Sequence, residues 1–142
     1  MAGRFWEVTP GRSWVGRLAT GDDLVEEIER FCAEQEVRAA WVNVIGAVRR
    51  AAFAYYEQEE HRYLELESTE HHEITSFVGN ISIRDDRPFL HAHGSFASRT
   101  GSAAGGHLLL GCEVFVAEIE IREMTGVELL RTPDEVTGLA LW

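Results

Sequence analysis

Ile74-Thr75-Ser76-Phe77-Val78-Gly79-Asn80-Ile81-Ser82-Ile83 and, a few residues on, Phe89-Leu90-His91-Ala92-His93-Gly94-Ser95-Phe96-Ala97 are the two runs on which the fold turns. The first is rich in β-branched residues, the second places two Phe and a Leu among small and polar residues, and both read as long strands. Side chains alternate along a strand, so His91 and His93 project from one face while Leu90 and Ala92 project from the other.

Working outward, the segment Ser98 to Gly106 is rich in Gly, Ser and Ala and is expected to turn the chain back, so that His107 opens the following strand. Within it, Gly101-Ser102-Ala103-Ala104-Gly105-Gly106 lacks the Lys-Ser/Thr ending and the strand-to-helix setting of a phosphate-binding loop. Glu113 to Glu123 is a third long strand, with Phe115, Ala117, Ile119 and Ile121 expected on one face and Glu118, Glu120 and Arg122 on the other. Upstream, Ala51 to Tyr56 and Tyr63 to Glu67 flank a polar link and suggest a hairpin, and Ala39 to Ala47 reads as a central strand covered on both faces. Phe5 to Val8 and Ser13 to Leu18 are short strands broken at Pro10-Gly11.

One segment reads as helix. Thr20-Gly21-Asp22-Asp23 supplies the cap, Leu24, Ile28 and Phe31 follow at helical spacing with Val25 and Cys32 beside them, and the helix should end near Gln35. Asp22, Asp23, Glu26 and Glu27 sit where carboxylates suit the positive end of the helix dipole. Thr125-Gly126 and Thr132-Pro133-Asp134 are turns, and the apolar end Leu139 to Trp142 is expected to dock on its own sheet or on a neighbouring subunit. One helix among many strands makes this an α+β chain, and residues 1–142 read as a single domain.

Composition narrows the function. The chain carries 24 acidic and 13 basic residues, a formal charge of −11, and no lysine. Nucleic-acid affinity rests on cations that neutralise phosphates, so that class of partner is disfavoured. No stretch approaches the roughly 20 apolar residues that span a bilayer. The opening Met1-Ala2-Gly3-Arg4-Phe5-Trp6 lacks the apolar core of a signal peptide, and a cytoplasmic protein is expected. Cys32 and Cys112 are expected to be buried, reduced thiols rather than a disulfide. There is no Gly-x-Ser-x-Gly elbow, and a nucleophilic hydrolase has no support.

The histidines carry the chemistry. His91, His93 and His107 are candidate ligands of one divalent ion, and three neutral imidazoles with a fourth position left for water is the arrangement of catalytic zinc. The same donors accept nickel, cobalt or iron, so the cofactor expected is zinc or another divalent transition metal. His61, His71 and His72 lie in an acidic polar stretch and read as solvated surface. Asn80, in a central strand, and Glu113, which shares parity with His107 if no bulge intervenes near Gly111, are candidates to orient ligands or move protons.

Five blocks in this order resemble the PPC domain family (plants and prokaryotes conserved). They are Gly21-Asp22-Asp23-Leu24, Ile45-Gly46-Ala47 before Tyr55-Tyr56, Phe77 to Ser82, Pro88 to His93, and Gly105-Gly106-His107-Leu108, and the resemblance covers about Arg4 to Leu141. The resemblance implies a strongly curved, mainly antiparallel sheet with one packed helix, similar to the acetolactate decarboxylase fold. It also implies a homotrimer and, as in prokaryotic members, a three-histidine metal site at His91, His93 and His107. Plant members join the domain to AT-hooks; Gly3-Arg4-Phe5 and Gly11-Arg12-Ser13 are not AT-hooks, which agrees with the charge argument against DNA.

Two function classes follow. The first is a metal-binding protein with an open coordination position for a small molecule, whether or not it catalyses a reaction. The second is a DNA-binding or regulatory oligomerisation module in which the metal is incidental or only pins strands together.

Overall fold

The computed structural model describes residues 3–142; Met1 and Ala2, which begin the segment read against a signal peptide, lie outside it. Helix α1 covers Leu24–Glu34. Asp23 caps it, one carboxylate oxygen accepting the Val25 and Glu26 N–H groups at 3.0 Å each, and Gln35 closes it. The other Asp23 oxygen accepts the Gly111 N–H at 2.6 Å, which ties the start of the helix to a distant loop. Leu24, Val25, Ile28 and Cys32 form its buried stripe.

Eight strands form one sheet: β1 (Thr9–Leu18), β2 (Ala40–Val48), β3 (Ala51–Glu57), β4 (Arg62–Ser68), β5 (His72–Arg84), β6 (Arg87–Ala97), β7 (Ala103–Leu108) and β8 (Val114–Thr125). Their spatial order is β1-β8-β2-β5-β6-β7-β3-β4, and every ladder is antiparallel. Strands β5 and β6 join through Asp85 and Asp86, both at positive φ, as a tight hairpin turn demands. The sheet is curved, and ladder register shifts interrupt β1–β8, β2–β5, β2–β8 and β5–β6.

Four expectations change in and around the eight-stranded sheet. Phe5 to Val8 is not a strand; instead β1 begins at Thr9 and carries Pro10 through a register shift before Ser13, which an edge strand tolerates. Strand β2 is central, between β5 and β8, but only one of its faces is covered. Ala40, Val42 and Val44 are buried, while Trp41 and Ile45 are 46% and 61% exposed, because the single helix covers only one side of the sheet. In β8, Ala117 and Ile121 face the core as expected and Ile119 packs against it, but Phe115 is 53% exposed and Val114 is buried in its stead. The β2–β8 register slips there, Ala47 facing Val116 and Val48 facing Val114, so Phe115 is the unpaired residue of a bulge and its parity is broken. The fourth concerns Ser98 to Gly106: the turn ends at Ser102, and residues 103–106 are already strand.

After β8 the chain returns alongside the end of β5, with Ile83 N–H donating to Leu129 O and Arg131 N–H to Ile83 O, both at 2.8 Å. A two-stranded ribbon of β9 (Thr132–Pro133) and β10 (Ala140–Leu141) follows, so Thr132-Pro133, expected as part of a turn, is strand, and the chain turns at 135–137 instead. The apolar C-terminal end therefore packs on its own chain, where Trp142 meets Trp6 edge to face at 5.6 Å. Cys32 and Cys112 are both buried and unbridged, and burial pushes their thiols up to about 12 and about 11.

Candidate metal centre

His91 and His93 lie on β6, on the sheet face opposite the helix, because their neighbours Leu90 and Ala92 take the buried parity. His107 comes from β7, directly across the ladder from His93. The Gly105-Gly106 pair makes that approach feasible. A Cβ on Gly105 would stand 1.9 Å from the Gly94 carbonyl oxygen, and one on Gly106 2.5 Å from that of Ala54. The glycines preceding His107 thus let three strands close up beside it rather than form a loop.

The three rings converge, with centroids 5.2 to 5.6 Å apart and one ligand atom from each within 4.8 Å of the others. Among the described residues this is the one His/Cys/Asp/Glu cluster of that kind. Burial, with smaller contributions from neighbouring cationic groups, lowers His91 and His107 to about 4. At neutral pH both are the neutral imidazoles that a metal requires. His107 Nδ1 is buried without a hydrogen-bond partner, a cost that is removed when such an atom binds an ion. Donor type, number and the orphaned nitrogen all fit a first-row divalent metal held by three imidazoles. Tyr63 of β4 stacks on His107 at 4.9 Å and holds its ring in place.

Asn80 faces His91 across the β5–β6 ladder. Glu113 is elsewhere. It precedes β8, exchanges backbone hydrogen bonds with Arg49 and Arg50, and pairs with the Arg49 guanidinium at 3.6 Å. Strand β7 ends at Leu108, and the turn through Gly111 breaks the parity that would have aligned Glu113 with His107. His61 and His71 are exposed, as expected, and His72 is half-buried with Nδ1 2.7 Å from the Glu70 carbonyl oxygen.

The β6–β7 ladder runs only from His93–His107 to Ala97–Ala103, so the first half of β6 has no partner on that side. Glu29, reaching from the helix, accepts the Leu90 N–H at 2.8 Å in the gap. Desolvation raises its carboxyl above the ordinary range. A cavity of about 610 Å³ opens there, with Val25 and Glu29 on the helix side, His91, His107 and Tyr63 on the histidine side, and Arg131 and Leu139 to Leu141 from the C-terminal tail. Glu29, Tyr63 and Arg131 were not legible as site residues. Glu29 left one signal, a carboxylate four residues after Val25 beside the buried helical stripe.

An antiparallel curved sheet with one helix on one face and a histidine trio on the other defines a small domain with a candidate metal centre. The chain belongs to the family of the Plants and Prokaryotes Conserved (PCC) domain, whose model matches residues 6–125. It is similar to the metal-containing protein from Archaeoglobus fulgidus, with 40% identity, TM-score 0.94 and 99% of each chain covered. It is also similar to the plant- and prokaryote-conserved protein of Pyrococcus horikoshii, with 34% identity, TM-score 0.93, and 99% of this chain and 96% of that one covered. The bifunctional protein GlmU of Synechococcus sp. (strain JA-3-3Ab) is 32% identical over 124 residues, 86% of this chain but 19% of that one. This chain thus spans about a fifth of the curated relatives it matches. Acetolactate decarboxylase of Bacillus subtilis shares the fold alone, at 13% identity and TM-score 0.57 over 92% of this chain and 59% of that one.

Proposed function

We propose that the chain is a homotrimeric metal-binding domain whose His91, His93 and His107 hold one zinc ion with an open position facing a small-molecule cavity. The observation that carries this reading is the convergence of three imidazoles, one with a buried nitrogen that has no other partner. A bound zinc ion would lower the pKa of coordinated water or polarise a carbonyl. Around it, Tyr63 fixes the His107 ring and Asn80 sits beside His91. That a similar protein from Archaeoglobus fulgidus is described as metal-containing agrees with the reading.

The uncovered sheet face, with Trp41, Ile45 and Val78 between 46% and 61% exposed, supports association between copies of the chain. No helix among the described residues is long and apolar enough to cross a membrane, and the two unbridged cysteines suit a cytoplasmic setting. The net charge of −11 argues against nucleic acid as the partner.

Metal content per chain, on protein purified without a histidine tag or chelator, tests the proposal. Near-stoichiometric zinc is expected in the parent chain, and none in a folded His91→Ala variant. Full occupancy in that variant would overturn the three-histidine site.

A further inference from the structure

Arg131 is held in the cavity wall in an unusual state. Its Nε donates to Ser82 Oγ at 2.7 Å, Nη1 to the Ala140 carbonyl at 2.8 Å, and Nη2 to Asn80 Oδ1 at 3.3 Å. All three acceptors are neutral. Among the described residues no ion pair involves this guanidinium, although the wall also contains Glu29 and Glu65. A half-buried cation without a carboxylate partner is costly, and proteins rarely keep one that has no counter-ion to meet.

The remaining donors point to what that counter-ion is. A guanidinium has five N–H groups, and the three contacts above leave one free on each terminal nitrogen. Guanidinium N–H groups not yet engaged suit the oxygens of a carboxylate, and Arg131 lines the cavity. Arg84 adds to the positive potential: its guanidinium lies over the Phe89 ring at 5.3 Å, and that of Arg131 lies over the same ring at 5.1 Å. Both arginines line the cavity that His91 and His107 line. The link to the histidines is short, since Asn80, which accepts from Arg131, is the cross-strand neighbour of His91. A cavity of about 610 Å³ is sized for a small metabolite rather than a polymer.

We infer that the ligand of this site is a small organic carboxylate, its carboxylate gripped by the Arg131 fork and a neighbouring hydroxyl or carbonyl oxygen directed at the open metal position. This rests on the metal-site reading for its second contact but not for its first. Ser82 and Asn80 are positioning residues: they aim the guanidinium and do not themselves meet the ligand. Glu29, engaged with the Leu90 N–H, closes the far side of the gap.

Calorimetric titration of the zinc-loaded and the metal-stripped protein with lactate and pyruvate, with longer α-hydroxy and α-keto acids, with their primary amides, and with inorganic phosphate tests the inference. The acids should bind and the amides should not. Arg131→Gln should weaken acid binding about tenfold or more without changing zinc content. Arg131→Lys, which keeps the charge and loses the fork, should retain only part of the affinity, and a thermal melt of each variant checks that it is folded. If the parent chain holds no zinc but the metal-stripped protein still binds acids through Arg131, the metal reading fails and the carboxylate subsite stands. No acid binding by either form of the parent chain, unchanged affinity in a folded Arg131→Gln, or phosphate bound as tightly as any acid would overturn the carboxylate assignment.

Discussion

The two faces of the sheet are built from the same strands and do different work. The helix-covered face is apolar: Val42 and Val44 of β2, Leu90, Ala92 and Phe96 of β6, and Ala117 and Ile121 of β8 pack under Leu24, Ile28 and Cys32. The uncovered face carries His91, His93, Asn80 and large apolar side chains left in solvent. In β6 the difference is one residue of parity, since Leu90 and Ala92 alternate with His91 and His93. Stability should therefore reside in one parity, and ligand chemistry and association in the other.

The sharpest way to break that division is in the core. Phe96 is fully buried and stacks on Phe53 at 5.9 Å, so Phe96→Ala leaves a cavity that the surrounding strands cannot fill. A loss of about 3–5 kcal/mol is expected in urea unfolding, a large share of the roughly 5–15 kcal/mol that holds a domain of this size. Zinc should be lost only in parallel with the folded fraction. Zinc lost at full stability would mean that the covered face shapes the site directly, and the two faces would not be separable.

How much of this was legible in the sequence follows the same division. The helix from its Asp23 cap to Gln35, the hairpin from Ala51 to Glu67, and the β5–β6 strands could be read from local pattern, because each is fixed by its own residues. The histidine trio was legible for the same reason: two of its members share a strand, and the third follows one return of the chain. What was not legible depends on where the ladders break. Phe115 changed face at a bulge, and Glu113 was displaced by the turn through Gly111. Residues 103–106 before His107 proved to be strand, with Gly105 and Gly106 there for close approach. Arg131 is invisible because its position depends on a tail that folds back some fifty residues to Ser82 and Asn80.

Acidification sharpens the comparison on the uncovered face. In the metal-stripped chain, His91 and His107 fall from an ordinary value of 6.5 to about 4, chiefly by burial. Between those values the unfolded chain binds more protons than the native one, so stability rises with pH through that window. Their contribution is complete above about 6.5 and is lost as the pH falls toward about 4. Thermal melts of the metal-stripped protein across this range should show that slope, and replacing both histidines by leucine should flatten it. An unchanged slope in the double variant would show that carboxylates, not the buried imidazoles, set the acid limit.

The smallest expected effect on the folded chain bears on the uncovered face's other role. Ile45 is 61% exposed on β2 and faces Glu118 of β8 across the ladder. Nothing in the single chain covers it, so Ile45→Arg should change unfolding free energy by no more than about 0.5 kcal/mol. The new guanidinium would also have a carboxylate opposite it. If this face is buried between copies, the same substitution places a charge in an apolar contact, and light scattering should show the trimer falling to monomer. A metal at the proposed site on β6 and β7, two and three strands along the sheet from β2, should stay bound in that monomer. Should the assembly persist with Arg at this position, the apolar residues near Ile45 would be ordinary exposed side chains, and the association surface would have to lie elsewhere on the sheet.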